Sequence, residues 1–445
     1  MKLTPINSSH KDPKHGVLMS EVGEIYRSID PNVILHLKKS NRFVKPLKEI
    51  EGNFFQVEKF EFETFYYEYP FDMLKDSALY YLDTLTELVE NDLIYSDGNP
   101  LNSTYTGNAQ FLQFDLGSIV ALNENLGWTG YKQFLTDWIW PIYALSDKKY
   151  IGIGELWNTL NDNQLIFHYN LNWKHKIRPS FWVHNAFLQN QKRQNLQTLN
   201  TSVKANKISK SRIISLIALL KSDVNSAKMR TIKTKWDNYY SNTIIRNSYL
   251  ENKLLAVKSI LEQVEFNSEN KSYIVDWGAN DGYFSMELAQ IFPNSTIIAI
   301  ESDHNAANEL YKKCKNESII PIHGSILNPT PSLAFSNYRK GLSERLKNVT
   351  NLHVCLGLMH HLQHEQNLSF SNILAYFAEN SKANSYLLIE FVKNTDPRYQ
   401  LIRNPNYPYS ENITDFKSQF EAYYQLMNEV EINENRVLFL GKKKS

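Results

Sequence analysis

Cysteine is nearly absent from this chain. Its 445 residues hold two, Cys314 and Cys355, in no metal-ligand spacing. That excludes a disulfide scaffold and points to a reducing compartment. Long apolar runs are missing as well. None approaches the roughly 18 residues that a spanning helix needs. The opening stretch, MKLTPINSSHKDPKH, lacks the apolar core of a signal peptide. The expectation is a cytoplasmic chain with no membrane span. Net charge is only +1, from 48 Lys and Arg against 47 Asp and Glu, so the whole chain has no field that would gather nucleic acid.

Aromatic residues are plentiful. With 26 Tyr and 23 Phe there is material for cores of good size, and the length suits two or three domains. Residues 1–45 read as a polar lead-in with short structured pieces. The alternation from Val57 to Phe65 predicts a strand. Residues 73–94 change to helical period, with Met73, Leu74, Ala78, Tyr81, Leu82, Leu85, Leu88 and Val89 on one face. A turn cluster, Asp97-Gly-Asn-Pro100, precedes two short strands near 103–106 and 110–114, joined by Gly107-Asn108. Residues 129–146 read as a buried aromatic helix.

Between about 190 and 240 the composition shifts, with eleven Lys and Arg from Lys192 to Lys235. The plain reading is a solvated basic linker over 191–250 carrying one helix, Arg212–Lys221. The sharper one is a surface for an anionic partner or RNA, which the scarcity of interleaved aromatics before Trp236 weakens. The expected division is an α+β domain over 1–190, the linker over 191–250, and an α/β domain over 251–445.

From 250 onward strands and helices alternate. Strands are expected at 273–276, 296–300, 319–322, 352–356 and 386–391. Helices are expected at 284–292, 304–314, 367–378 and 414–427. Such alternation implies a parallel sheet covered on both faces. Two last strands, 429–432 and 436–440, close the pattern at the sheet edge. Asp276-x-Gly278-x-Asn280-x-Gly282 follows the first strand and opens a helix, the setting a nucleotide site requires. Glycines let the backbone approach a ligand, and the helix start offers free N–H groups. Glu301 and Asp303 end the next strand, where an acid can hold ribose hydroxyls. A nicotinamide site prefers Gly-x-Gly-x-x-Gly against a pyrophosphate, and this loop lacks it.

DWGANDGYFS followed by IIAIESD resembles motif I and the second acidic motif of class I S-adenosylmethionine-dependent methyltransferases. The resemblance implies a Rossmann-like seven-stranded α/β sheet and S-adenosyl-L-methionine as cofactor. It implies that Asp276, Gly278 and Gly282 contact the methionine and ribose end, with Asn280 in place of the family's middle glycine. Glu301 would hold the ribose hydroxyls, with Asp303 secondary and Ser325 near the adenine. The loop Gly357-Leu-Met-His360-His361-Leu362 would face the methyl donor, with His360 or His361 as general base or acceptor binder. Glu390 and Asp396 touch the acceptor or cap loops. From about residue 50 the whole chain resembles a narrower group, methyltransferases of the nodulation-protein NoeA-like kind, through FETFYYEYPFDMLKDSALYYLDTL, GYKQFLTDWIWPIY, KWDNYYSN, LGLMHHL and LLIEFVKNTDP. This implies O-methylation of a small-molecule, carbohydrate or glycolipid acceptor. Rival readings are an RNA or protein methyltransferase using the basic linker, a bifunctional kinase and methyltransferase, and a binding module without catalysis.

The first half carries its own constellation. Asp97 and Asn102 are five positions apart, and Asp115-Leu-Gly117 begins eighteen after Asp97. This spacing resembles the catalytic-loop Asp, metal-binding Asn and D-F-G Asp of kinase-like folds, which leaves three readings of the N-terminal domain: a degenerate kinase-like lobe, a coincidence of turn residues, or an active phosphotransferase. No His-Arg-Asp precedes Asp97, no Gly-rich loop lies upstream, and Lys45, Lys48, Lys59 and Glu58 give no assignable ion pair. Apart from those three residues, no metal ligands are expected.

Overall fold

Val, Ile and Leu crowd the strands of the second half because a parallel sheet is buried on both faces. In the computed structural model every residue of β10 (Ser272–Trp277), β11 (Ser295–Glu301) and β14 (Tyr386–Val392) is buried. Residues 3–5, 17–50, 53–123, 127–147, 173–178, 180–186, 208–231, 233–234, 247–266, 271–334 and 337–444 are described. The chain forms two compact units, 1–105 with 110–231, and 106–109 with 232–445.

The first unit begins with a five-stranded antiparallel sheet. Its strands are β1 (Leu3–Pro5), β2 (Val17–Ser20), β3 (Ile25–Ser28), β4 (Pro46–Glu49) and β5 (Phe54–Val57), ordered β1-β2-β3-β5-β4. Helix α1 (Pro31–Lys39) lies between β3 and β4 in sequence. These strands are three or four residues long, too short for an alternation to register, so the polar lead-in reading missed a sheet. The strand expected over Val57–Phe65 is also corrected: the ladder stops at Val57. Phe62, Phe65, Tyr66 and Tyr67 are buried as core, and Thr64 N donates to the Thr104 side chain instead of to a strand backbone.

Helix α2 (Phe71–Glu90) buries the whole apolar face expected of it. Two small antiparallel pairs follow: β6 (Leu93–Tyr95) with β9 (Ile119–Ala121), and β7 (Ser103–Tyr105) with β8 (Phe111–Gln113). The aromatic helix is α3 (Tyr131–Phe134) and α4 (Trp140–Ser146), joined by a π turn at Leu135–Ile139. Pro141 has no N–H to continue an α ladder, which accounts for the widened turn before it. A short helix, α5, spans Trp173–Lys176.

Helix α6 (Lys210–Ser226) buries Ile213, Ile217, Leu220 and Val224. Lys221 pairs with Asp83 at 2.7 Å and Lys210 with Asp92 at 2.8 Å, so α6 packs along α2 within the first unit. The expected linker therefore contains a core-forming helix. Residues 191–207, 232 and 235–246 of the expected linker, Trp236 among them, lie outside the described residues.

The second unit is a seven-stranded sheet ordered β12-β11-β10-β13-β14-β16-β15. The remaining strands are β12 (Ile319–His323), β13 (Thr350–Cys355), β15 (Tyr424–Asn433) and β16 (Arg436–Lys443). The first five in sequence run parallel, and β16 inserts antiparallel between β14 and β15. Its helices are α7 (Asn247–Leu261), α8 (Tyr283–Ile291), α9 (His304–Cys314), α10 (Leu342–Val349), α11 (Met359–Gln366), α12 (Phe370–Glu379), α13 (Pro397–Ile402) and α14 (Ile413–Tyr423). The expected helix over 367–378 is α12 alone, starting at Phe370 because Asn367 turns left-handed at φ 56° and Ser369 opens it with a capping box; α11 before it was not expected. Among the described residues no helix is long and apolar enough to cross a membrane.

Gly441 on β16 marks a close approach. A Cβ there would stand 2.5 Å from the Phe420 ring and 2.8 Å from Tyr424 Cβ. Gly441→Ala should cost about 1–3 kcal/mol by overpacking, seen as a lower urea midpoint with an unchanged slope.

Candidate functional site

The site grows from the carboxyl end of β10. Gly278, at φ 71°, and Ala279 both give their N–H groups to Ile300 O, which ties the loop after β10 to the end of β11. Asn280 is left-handed at φ 50° and caps its own turn, accepting from Asp281 N at 2.9 Å. Gly282 at φ 88° opens α8 against Leu310 and Cys314, where a Cβ would sit 2.7 Å from both side chains. Glycine is therefore required at 282 for packing, whereas at 278 a Cβ would meet only Leu358 at 3.7 Å.

The acids divide the work. Asp276, 2% exposed, accepts from Ser285 Oγ at 2.6 Å, and burial pushes its carboxyl up to about 6. Glu301 accepts from Asn280 N at 2.8 Å and from Asp303 N at 2.7 Å, so one carboxylate pins both loops. Burial pushes its carboxyl up, and those N–H groups oppose the push. Asp303 spends its side chain as the cap of α9, accepting from Asn305 and Ala306 N–H.

Beside these residues lies a cleft of about 170 Å³. Trp277, Gly278, Ile300, Ser302, Gly324, Ser325, Leu358 and His361 line it. Gly278, Ser325 and His361 are among its lining residues, and Asp276, Glu301 and Asp303 are not. The histidine pair splits. His361 shares Nδ1 with Glu365 Oε1 at 2.9 Å, and Glu365 also lines the cleft. His360 is 4% exposed and turned inward, with Nδ1 unbonded among the described residues. Burial drives its imidazole well below the ordinary value, so it is neutral.

Sequence reasoning missed Lys253, which sits on α7 at 7% exposure. Its Nζ lies 2.6 Å from Glu390 Oε2. Glu390 also takes Arg436 Nη1 at 3.0 Å, and Arg436 Nε binds Asp396 at 2.8 Å. Two cations and two anions, all buried, make a neutral network on α7, β14 and β16. A Cβ on Gly357 would stand 3.8 Å from both Lys253 Nζ and Glu390 Oε2, so the loop after β13 passes directly over the pair. Asp396 caps α13 as one of its expected alternatives had it. A lone Lys in an amphipathic helix gives no sign in sequence that it will pair across the fold.

Strand order, the antiparallel β16, the glycine loop after β10 and the acid ending β11 are together similar to the arrangement of class I S-adenosylmethionine-dependent methyltransferases. No protein-family model matches the chain. The chain is similar to the nodulation protein NoeA of Rhizobium meliloti (strain 1021), 23% identical over 349 residues, which is 75% of this chain and 69% of that protein. Among solved structures, similarity extends to a putative S-adenosylmethionine-dependent methyltransferase from Listeria monocytogenes (11% identity, 44% of this chain, 100% of that one, TM-score 0.31). A putative O-methyltransferase from Nostoc punctiforme PCC 73102 gives 14% identity, 44% of this chain, 57% of that one and a TM-score of 0.33. A fibrillarin pre-rRNA processing protein from Methanococcus jannaschii gives 19%, 43%, 75% and 0.30. At these scores the fold assignment rests on the strand order itself.

Burial pushes the Glu390 carboxyl up, but Lys253 and Arg436 outweigh it and hold it at about 2. A carboxyl lower in the folded chain than its unfolded value near 4.5 stabilises fully above that value. The contribution is lost as pH falls from about 4.5 towards 2. Lys253→Met should therefore cost about 3–5 kcal/mol at pH 7 by stranding a buried charge, and less at pH 3. Urea denaturation at the two pH values checks both.

Proposed function

We propose that the second unit binds S-adenosylmethionine and transfers its methyl group to an oxygen of a small-molecule or carbohydrate acceptor. The observation that carries this reading is the open cleft at the carboxyl ends of β10 and β11, floored by a glycine whose missing side chain leaves room for a ligand. Asp276, Glu301, Gly278 and Ser325 suit an elongated nucleoside joined to an amino acid. A carboxylate has about four acceptor positions. Glu301 accepts from Asn280 N, Asp303 N and the Ser302 hydroxyl, and its remaining capacity serves the ribose hydroxyls. Ser325, in the wall after β12, suits the adenine edge. Asp276, ionised near neutral pH and buried, draws a positive ligand towards the β10 loop. When bound, the cofactor supplies an electrophilic methyl on a positively charged sulfur.

Acceptor chemistry falls to the β13 end. With its Nδ1 proton held by Glu365, His361 presents Nε2 as its basic nitrogen, the group in that wall suited to take a hydroxyl proton. His360 is buried away from the cleft and serves the fold. In-line placement does most of the remaining work, because methyl transfer asks for alignment more than for acid or base. The nucleic-acid reading loses support, since Lys210 and Lys221 of the basic stretch are spent on Asp92 and Asp83.

Isothermal titration of S-adenosylmethionine into wild type, Glu301→Gln and Glu301→Ala tests the cofactor assignment. Removing a charged acceptor from two hydroxyls should weaken binding by roughly tenfold or more, at about 1.5–3 kcal/mol per charged hydrogen bond. A folded wild type that binds no cofactor would sink the reading.

A further inference from the structure

The first unit presents an apolar face that the methyltransferase reading leaves unused. Of the described tryptophans, Trp128, Trp138, Trp140 and Trp277 are buried, whereas Trp173 and Trp182 are 64% and 65% exposed. Ile177, at 64%, and Val183, at 48%, are their neighbours in the chain. Four large apolar side chains thus reach solvent between positions 173 and 183. Ile177 N donates to Trp173 O at 3.1 Å, which sets those two side chains one helical turn apart on the same side of α5. A single exposed apolar residue is ordinary. A group of four with two tryptophans marks an interaction surface.

The residues between them hold this face outward. His175 Nε2 lies 3.1 Å from Asp147 Oδ1, and its ring stacks on Tyr143 with centroids 4.4 Å apart. In the helical turn over 180–186, Ser180 Oγ donates to Asp223 Oδ1 at 2.7 Å and His184 Nε2 lies 2.9 Å from Asp223 Oδ2. The Tyr131 hydroxyl bonds to His184 Nδ1. His175, Ser180, Phe181 and His184 are all buried. Both pieces therefore fasten one side to α3, α4 and α6, and carry Trp173, Ile177, Trp182 and Val183 on the side left exposed. Apolar side chains on an anchored backbone lose less freedom when they meet a partner than those on a loose one.

Charge selects the partner. From Asn163 to Ser222 the sequence has ten Lys and Arg and no Asp or Glu, in a chain whose net charge is +1. Setting aside Lys210 and Lys221, which pair with Asp92 and Asp83, the stretch keeps eight. Lys174 and Lys176 belong to α5 itself, between Trp173 and Ile177. Tryptophan beside lysine is the composition of a surface that lies at a membrane–water boundary, with the indole among headgroups and the ammonium at lipid phosphate. Stacking on nucleic-acid bases would use the two indoles. It gives no part to Ile177 and Val183, which gain by leaving water.

We propose that this face of the first unit docks on an anionic lipid surface, with Trp173, Ile177, Trp182 and Val183 in the headgroup layer and Lys174 and Lys176 at lipid phosphates. The two contributions differ in kind. Attraction of the lysines to an anionic surface is screened by salt, and burial of the apolar side chains is not. The basic stretch then draws the chain to the surface, and the four apolar side chains hold it there.

The test is flotation of the full chain with vesicles of phosphatidylcholine alone and of phosphatidylcholine with about one-third phosphatidylglycerol, at low and high salt. Wild type is expected to bind the anionic vesicles about tenfold or more tightly than the neutral ones, and to lose most of that difference at high salt. Trp173→Ser combined with Trp182→Ser should weaken binding by about tenfold. Lys174→Glu combined with Lys176→Glu should do the same on anionic vesicles alone. Leu35→Ser, at an exposed residue of α1 outside this face, should bind as wild type does. Each variant should keep the wild-type thermal melt and bind S-adenosylmethionine within about twofold of wild type, so this surface is read apart from the site in the second unit. The lysine pair carries the test if the tryptophan pair does not fold. The proposal is overturned if folded wild type does not bind anionic vesicles, binds neutral ones equally well, or is matched by a folded tryptophan variant. Binding of polyuridine without binding of vesicles overturns it in favour of nucleic acid. A dimer lost in the tryptophan variant, again without vesicle binding, overturns it in favour of a second copy of this chain.

Discussion

The reversal of strand order at β10 is the constraint on which the second unit depends. From β10 the chain winds outward through β11 to β12, then returns to the other side of β10 with β13 and β14. Loops leaving β10 and β11 turn one way and the loop leaving β13 turns the other, so a crevice opens above the carboxyl ends. Every feature of the site follows. Gly278 and Ala279 are bonded to Ile300 O because the strands are in register there. Glu301 reaches Asn280 N because its strand ends one residue beyond that register. His361 meets the cleft from the far side because β13 sends its chain into α11.

Charge is handled in a buried network beneath the loop after β13. Lys253, Glu390, Arg436 and Asp396 would each be costly if buried alone, and they are tolerated as a closed set. The set joins α7, which precedes the sheet in sequence, to β14 and the late strand β16. Gly357 lets the β13 loop lie over it without a side chain between. The buried network beneath that loop is thereby polar and nearly neutral. Asp276, on the neighbouring strand, keeps the ligand end negative.

Much of the second unit was legible in the sequence because parallel strands are continuous apolar runs and their helices carry a strong period. All five parallel strands fall where the runs of Ile, Val and Leu predict. The edge hairpin is longer than its apolar residues suggest, since β15 alternates exposed residues with half-buried ones. Less was legible where contacts are long-range or elements short. The sheet of β1 to β5 has strands of three or four residues, below what periodicity can detect. Pairing of Lys253 with Glu390 spans 137 positions, and only the fold brings them together. Asp303 and Glu301 look equivalent in sequence, yet one caps a helix and the other ties two loops. Asp97 and Asp115 meet at the Asn102 amide, and Arg27, 3.5 Å from Asp115, comes from a strand the sequence did not reveal.

A crystal structure of the full chain grown with S-adenosylhomocysteine tests the central claim most directly. The account predicts ligand density above Gly278, with the ribose hydroxyls on Glu301 and the adenine beside Ser325. Density elsewhere on the chain, or an empty cleft in crystals grown at saturating ligand, would contradict it.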